Sequence, residues 1–243
     1  MARSKEGFDT RAAVTRSLLG WGVVAGVFYL VTGVGQGLIR EGFSFTDHAL
    51  SMLMLGDFGW IQTANLGLTG LMVTAAAVGF TRAMKQARGA TAAGVLLAIF
   101  GLALIGSAIF PPDPVDGFPD PGSTAAATTS GGLHLVFGAV GLIALAAATF
   151  VVAVWLGNRD EASRARSSRL FGIVIAMGFI GGAALATTTA GVILLWLAVV
   201  TGWVWLASTS LHLYRTVPHP DLHVRTAGNE SHGNGDRRPH PSR

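Results

Sequence analysis

The chain has 243 residues, of which 51% are hydrophobic and only 12% are charged. Soluble domains carry about 25% charged residues, so this composition excludes a water-soluble globule and indicates a membrane protein. The net charge is +4, but the bases occupy loops in a membrane pattern and no recognition-helix or stacking-aromatic pattern accompanies them, so we expect no nucleic-acid partner. The absence of cysteine excludes disulfides and thiolate metal sites.

Long stretches without charge define the predicted elements. No Asp, Glu, Lys or Arg occurs in residues 17–39, 58–81, 89–112, 121–158 and 170–214. Each exceeds the roughly 20 residues of helix that cross a bilayer core. The last would extend roughly 68 Å as one helix, so it must fold back, and the sequence TTTAG at 187–191 is the favoured hinge. We therefore predict an all-α integral membrane bundle of six transmembrane helices, near residues 18–39, 59–81, 91–110, 132–156, 169–187 and 191–213.

The positions of the bases predict the orientation of this bundle. With six spans, every base except Arg40 falls on the same side of the membrane. The positive-inside rule then places both termini in the cytoplasm of a multipass protein of the cell membrane. We expect a cytoplasmic N-terminal segment at 1–17, a six-helix domain at 18–213 and a disordered cytoplasmic tail at 214–243, which is too polar to fold.

The first span contains closely spaced glycines and leads into an external loop. Gly22 with Gly26 and Gly33 with Gly37, like Gly178 with Gly182 in the fifth span, form small-xxx-small patterns that favour a compact bundle without defining an oligomeric state. The loop contains an apolar stripe, and Thr46 or Asp47 would cap a short helix that begins at His48. We expect this helix to lie in the outer interface, as a cover for the bundle or as a lid over a site.

The third span ends at IFPPDPVDGFPDP, residues 109–121. Pro111 and Pro112 stop the helix as it leaves the membrane. We expect Asp113 to arrive near His134, at the head of the fourth span, and near Arg40. Asp113 and the other two acids of this segment belong to an external surface with one base and six acids.

Polar residues within or beside membrane spans are the default functional candidates. Gln62 and Asn65 in the second span hydrogen-bond neighbouring helices or belong to a site. His134 either tethers a loop carbonyl, holds a divalent metal, acts in acid/base chemistry or relays a proton. The catalytic candidates are His134, Asp113 and Asn65, and the metal candidates are His48, His134, Asp113 and Asp47.

Three stretches of the chain form a recognisable set: GFSFTDHALSMLMLGDFGWIQTANLGLTG, IFPPDPVDGFPDP and SGGLHLVFG. On these stretches the chain resembles the bacterial and archaeal family of six-span membrane proteins catalogued as domain of unknown function 998, and the resemblance covers about residues 18–213. Its most specific parts are GWIQTAN, FPPDP and the histidine of GGLH. It implies a helical multipass protein without an established reaction, with family-like polar positions at Asp47 or Ser51, Asn65, Asp113 and His134.

Three functions remain open from the sequence, so it does not decide whether the protein is an enzyme. The first is binding of a cation, a lipid headgroup or a partner at an acidic, histidine-containing external mouth. The second is a membrane hydrolase with a metal held by His48, His134 and Asp113. The third is a small transporter, against which the lack of proline within the spans argues.

Overall fold

A computed structural model describes residues 8–84 and 89–221 of the chain. Each α-helix within these residues is long and apolar enough to cross a membrane. The predicted all-α fold with six spans is therefore confirmed. The helices are α1 (Thr10–Ile39), α2 (Gly59–Ala83), α3 (Ala90–Ile109), α4 (Thr129–Gly157), α5 (Ala162–Ala184) and α6 (Thr189–Thr216).

Side-chain caps start several of these helices. Asp9 Oδ1 accepts a hydrogen bond from the amide of Ala12 at 3.0 Å, so α1 begins within the predicted 1–17 segment. Thr188 Oγ1 accepts from the amide of Gly191 at 3.1 Å, and its hydroxyl donates to the carbonyl of Leu185. Such caps satisfy free N–H groups in the first turn of a helix. The predicted fold-back is confirmed, but the turn lies at 185–188, slightly before the predicted 187–191, because the Thr188 cap starts α6 at Thr189.

The six helices form a closed ring in chain order. Each helix packs against the next, α6 returns to pack against α1, and α6 also contacts α2 and α4. Consecutive helices alternate in direction, so three of the five connections lie at one end of the ring, and the other two lie at the end where α1 begins and α6 ends. We call the end formed by residues 40–58, 110–128 and 185–188 the acidic end, and the opposite end the basic end.

Large side chains fill the basic-end half of the ring. Phe80, Leu97 and Leu206 are fully buried, and Trp205 is 1% exposed. The indole of Trp205 packs near the ring of Phe80 and donates a hydrogen bond of 2.8 Å to Ser168 Oγ in α5. This half of the bundle is therefore densely packed and internally hydrogen-bonded.

The glycine patterns bring helices together, but not all in the same way. The pair in α1 at residues 22 and 26 and the pair in α5 at residues 178 and 182 both lie against α6. Gly33 and Gly37 instead lie against Leu50 and Phe45, which belong to the loop between α1 and α2. The second glycine pair of α1 therefore holds the loop, not another helix.

The short helix of this loop is confirmed, but its predicted start and cap are wrong. It is a 3-10 helix at Leu50–Met54, and Ala49 precedes it without a side-chain cap. Thr46 and Asp47 bond to each other and to Ser44 instead of capping a helix. The hydrophobic side chains of the 3-10 helix are buried against the bundle, so this segment covers the acidic end of the ring.

Some predictions concern residues that the structure does not describe. Residues 222–243 of the predicted tail lie outside the described residues, as do residues 1–7 and the bases Lys85 and Arg88. The part of the predicted tail that is described begins as the last turn of α6, which continues to Thr216.

The tightest helix crossing joins α2 to α3 through two glycines that the sequence analysis did not single out. A Cβ at Gly101 would lie 2.7 Å from the carbonyl oxygen of Gly70, and a Cβ at Gly70 would lie 2.5 Å from that of Gly101. We expect Gly101→Ala to lower the thermal midpoint in detergent, because overpacking costs about 1–3 kcal/mol. Gly35→Ala is the control, since a Cβ there meets no atom within 4 Å. Equal midpoints for the two variants would contradict this packing.

Candidate functional site

A cavity of ≈ 280 Å³ lies in the acidic-end half of the ring. This size is close to the lower end of the roughly 300–1,000 Å³ typical of small-molecule sites. The cavity lies between the ends of the helices and the 3-10 helix segment that covers them. Its walls come mainly from residues 100–107 of α3, 134–145 of α4, 179–183 of α5 and 195–203 of α6, with residues 49–52 above.

The cavity lining is mostly apolar. Leucine, alanine, glycine and phenylalanine residues make up most of the wall. An alkyl or aromatic group therefore suits this space better than an ion. The lining residues with polar atoms on their side chains are Tyr29, Ser51, Ser107, His134, Trp196 and Trp203.

The cavity reaches the surface of the bundle between α4 and α5. Leu135 of α4 and Ala183 of α5 both line the cavity and are exposed. Near the basic end the same helices pack directly, because Ser168 Oγ donates a hydrogen bond to the carbonyl of Thr149 at 2.8 Å. The exposed lining residues of α4 and α5 therefore lie toward the acidic end, at a depth within the two apolar helices.

The side chain of His134 binds the backbone at the end of α3. The side chain is 7% exposed, and Nδ1 lies 3.1 Å from the carbonyl oxygen of Ser107 and 2.8 Å from that of Phe110. In a continuing helix these carbonyls would accept from residues 111 and 114, but both are proline and have no N–H. His134 supplies the missing donor, which corresponds to the loop-carbonyl tether among the predicted alternatives.

These contacts also define the tautomer of His134. Carbonyl oxygens only accept hydrogen bonds, so Nδ1 must carry the proton. In the neutral ring Nε2 is then an acceptor. Nε2 makes no hydrogen bond with any described residue, and His134 lines the cavity. The cavity wall therefore offers one unused nitrogen acceptor.

Asp113 fixes the start of α4 but makes no hydrogen bond to His134. Its carboxylate accepts hydrogen bonds from the hydroxyl and the amide of Thr128 and lies directly over Gly131. The Thr128 hydroxyl and then its amide hold the pKa of Asp113 below the ordinary value. Among the described residues no hydrogen bond or ion pair joins Asp113 to His134 or Arg40.

Asp47 ties the first loop to α6. Its carboxylate accepts hydrogen bonds from Ser44 Oγ, from Thr46 Oγ1 and, at 3.2 Å, from Thr189 Oγ1. The bonds from Ser44 and Thr46 lower the pKa of Asp47. Much of the acceptor capacity of this carboxylate is therefore already used.

His48 is packed into the same loop. Its Nδ1 accepts a hydrogen bond of 3.0 Å from the amide of Ser44, so its proton is on Nε2 in the neutral form. The ring is 4.6 Å from that of Phe118, centroid to centroid, and is also close to Phe43. Burial lowers the pKa of His48, although the nearby Asp47 charge opposes this. The Nδ1 atom of His48 thus accepts a hydrogen bond, whereas that of His134 donates.

The metal candidates do not form a cluster in the part of the chain that the structure describes. No three His, Asp or Glu side chains within residues 8–84 and 89–221 are placed to hold a metal ion together. Arg40, expected near Asp113, donates instead to the carbonyl of Leu55 at 3.2 Å. The divalent metal and the catalytic roles of Asn65, Asp113 and His134 stay predictions.

Gln62 and Asn65 join α2 to α1 behind the cavity. Asn65 Nδ2 donates to the carbonyl of Tyr29 at 3.1 Å and to Gln62 Oε1 at 3.0 Å. Gln36 Nε2 also donates to Gln62 Oε1, at 3.1 Å. Gln62 and Asn65 are 0% and 1% exposed, so these contacts correspond to the helix-linking alternative for both residues.

The sequence analysis missed the cavity residues Ser107, Trp196 and Trp203. For Ser107 a signal exists, because it lies four residues before Pro111 and its carbonyl therefore loses the usual helical partner. The two tryptophans have no comparable local signal. Their place on the cavity wall depends on which face of α6 turns toward α4 and α5.

One comparison with known proteins gives a match. The family model described as protein of unknown function (DUF998) matches residues 23–212. No curated protein and no solved structure matches the chain.

The role of His134 in joining α3 to α4 is testable through stability. We expect His134→Leu to lower the thermal midpoint, because each carbonyl left without a donor costs about 1–3 kcal/mol. His134→Asn should retain most of the stability, since the amide nitrogen of asparagine takes a position close to that of Nδ1. Equal thermal midpoints for His134→Leu and His134→Asn would show that the hydrogen bonds from Nδ1 do not stabilise the protein.

Asp113 should contribute a stability that depends on pH. Its pKa is lowered in the folded protein. The contribution is therefore present above the unfolded pKa of about 4 and is lost as the pH falls through the folded value. We expect the gap in thermal midpoint between the parent protein and Asp113→Asn to narrow from pH 7 to pH 3. Asp120→Asn is the control, because the Asp120 carboxylate accepts no hydrogen bond from the described residues. If the difference in thermal midpoint between the parent protein and Asp113→Asn did not change with pH, the stabilising role of the ionised Asp113 carboxylate would be refuted.

Proposed function

The chain belongs to the family described as protein of unknown function (DUF998) and is a multipass membrane protein; we propose that it binds a single-chain amphiphile. The alkyl chain occupies the cavity, and the polar head lies at the acidic end. The observation that carries this proposal is the apolar cavity whose lining residues Leu135 of α4 and Ala183 of α5 are exposed on apolar helices.

The membrane position of the cavity supports a ligand that arrives from the bilayer. The lining of α4 runs from His134 to Leu145, which is about 16 Å of helix. His134 lies five residues into α4, about 8 Å from its first residue, Thr129. A bound amphiphile would therefore keep its head near the interface and its chain at the depth of other lipid chains. The positive-inside pattern favours the outer leaflet for this site.

A lipid is favoured over a cation because of what surrounds the acids. The carboxylates of Asp47 and Asp113 accept hydrogen bonds from neighbouring Ser and Thr residues, whereas the cavity wall is apolar. Burying an ion against such a wall without compensating ligands is costly.

A binding site is favoured over a transport path. The side chains of Phe80, Leu97 and Trp205 fill the basic-end half of the ring. The cavity thus has its floor within the membrane, near Leu145, which is 1% exposed. A ligand that entered from the lipid would return by the same opening.

Two tryptophans on the cavity wall provide a direct test. Trp196 and Trp203 both line the cavity, so a chain with a terminal bromine should quench their fluorescence on contact. The probe is 12-bromododecan-1-ol added to the full chain in nanodiscs. We expect saturable quenching above the background from lipid-facing tryptophans.

A matched pair of α4 glycines separates cavity binding from general partitioning. Gly138 lines the cavity and Gly132 does not, and a Cβ at either meets no atom within 4 Å. Gly138→Leu should weaken the saturable component about tenfold, or about 1.4 kcal/mol, by occupying cavity volume. Gly132→Leu should behave like the parent protein. Quenching that never saturates, or that responds equally to both substitutions, would refute the proposal.

A further inference from the structure

We infer that the ligand of the cavity is a neutral single-chain alcohol whose hydroxyl group donates a hydrogen bond to His134 Nε2. The inference rests on the proposed function, because it assigns the chemistry of the headgroup to the same cavity. It names a class, to which fatty alcohols and glycerol lipids with one chain belong.

The acceptor comes from the end of α3. The carbonyls of Ser107 and Phe110 take the Nδ1 proton of His134, and this leaves the Nε2 lone pair without a partner among the described residues. An acceptor that faces a mostly apolar cavity without a donor is unfavourable. A ligand with an O–H or N–H group at this depth would supply the donor, whereas an ether or an ester would not.

Two serine hydroxyls on the cavity wall add hydrogen-bond donors to the Nε2 acceptor. Ser51 and Ser107 also line the cavity, and their Oγ atoms make no hydrogen bonds within residues 8–84 and 89–221. Each hydroxyl both donates and accepts. The polar end of the cavity thus combines one pure acceptor with two hydroxyls, and an alcohol headgroup, itself a donor and an acceptor, is complementary to all three.

Charge distinguishes an alcohol from a fatty acid. A carboxylate only accepts hydrogen bonds and would face the Nε2 lone pair of His134. Among the described residues, no Lys or Arg lines the cavity. Arg40, the base at the acidic end among the described residues, donates to the carbonyl of Leu55 and lies over the ring of Phe118. A buried carboxylate would therefore have no countercharge.

An ammonium headgroup is also less suitable than an alcohol. It would donate to Nε2, but it would lose its hydration within the cavity. The nearby carboxylate of Asp113 is engaged by Thr128 and contacts the start of α4 instead of the cavity wall. A charge that is buried without a partner is costly, so the neutral donor is preferred.

The test compares headgroups on one chain length. Dodecan-1-ol, 1-methoxydodecane and dodecanoate compete with 12-bromododecan-1-ol for the full chain in nanodiscs, at pH 8 and at concentrations corrected for partitioning. We expect dodecan-1-ol to compete about tenfold better than the ether, which is the upper part of the range for one hydrogen bond. Dodecanoate should compete no better than the ether.

A single substitution then tests whether His134 Nε2 is the acceptor. His134→Asn retains a donor near the position of Nδ1 but has no atom at the position of Nε2. We expect it to reduce the preference for the alcohol over the ether to less than about twofold, with little change in binding of the ether. The thermal midpoint of His134→Asn serves as the control for folding. If this variant is unstable, the comparison of headgroups on the parent protein still tests the preference for an alcohol.

The outcomes separate the two proposals. Saturable binding with equal affinity for alcohol and ether, lost in Gly138→Leu, would overturn the alcohol assignment and leave chain binding intact. An undiminished preference in folded His134→Asn would overturn the role of Nε2. If no probe binds saturably to the parent protein, the proposed function itself fails.

Discussion

The carbonyl groups at the end of α3 require hydrogen-bond donors near the membrane boundary, where an unsatisfied backbone group costs several kcal/mol. The chain removes the usual donors itself, because Pro111 and Pro114 stand where the N–H groups would be. One imidazole nitrogen of His134 serves both the Ser107 and the Phe110 carbonyl. This contact joins the end of α3 to the start of α4 across their loop. It also determines which nitrogen of the ring remains free toward the cavity.

The opening of the bundle follows from how the helices divide their contacts at the acidic end. There α4 packs on α3, since Gly141 lies against Phe100 and Ala103. In contrast, α5 packs on α6 through its glycines at 178 and 182. Each pair is close, and near the basic end the pairs are also joined, because Ser168 Oγ of α5 donates to the carbonyl of Thr149 in α4. The exposed cavity residues Leu135 and Ala183 therefore lie where one tight helix pair adjoins the other.

The sequence predicted features that depend on local composition and missed those that depend on helix rotation. Charge-free stretches and the hinge at 187–191 gave all six helices, because crossing a membrane constrains length and polarity residue by residue. Asp113 was expected near His134, and both residues lie at the α3–α4 junction, but their hydrogen bonds go to Thr128 and to the end of α3, respectively. The cavity was not predicted, since it depends on which faces of α5 and α6 turn inward. The resemblance motifs FPPDP and GGLH did contain its key contact, as a helix end and the donor that satisfies it.

The surroundings of the cavity determine how specific its ligand must be. An apolar void in a soluble protein stays empty when it excludes water, but a void that opens to a bilayer faces alkyl chains at very high concentration. Occupancy of the apolar part by some chain therefore provides little selectivity, because every membrane lipid offers one. Discrimination has to come from the polar end, where His134 and the hydroxyls of Ser51 and Ser107 lie. The structural contact of His134 uses only Nδ1, so a site that selects by headgroup can use Nε2, provided that this acceptor is fixed in one tautomer. The two carbonyls at the end of α3 fix it.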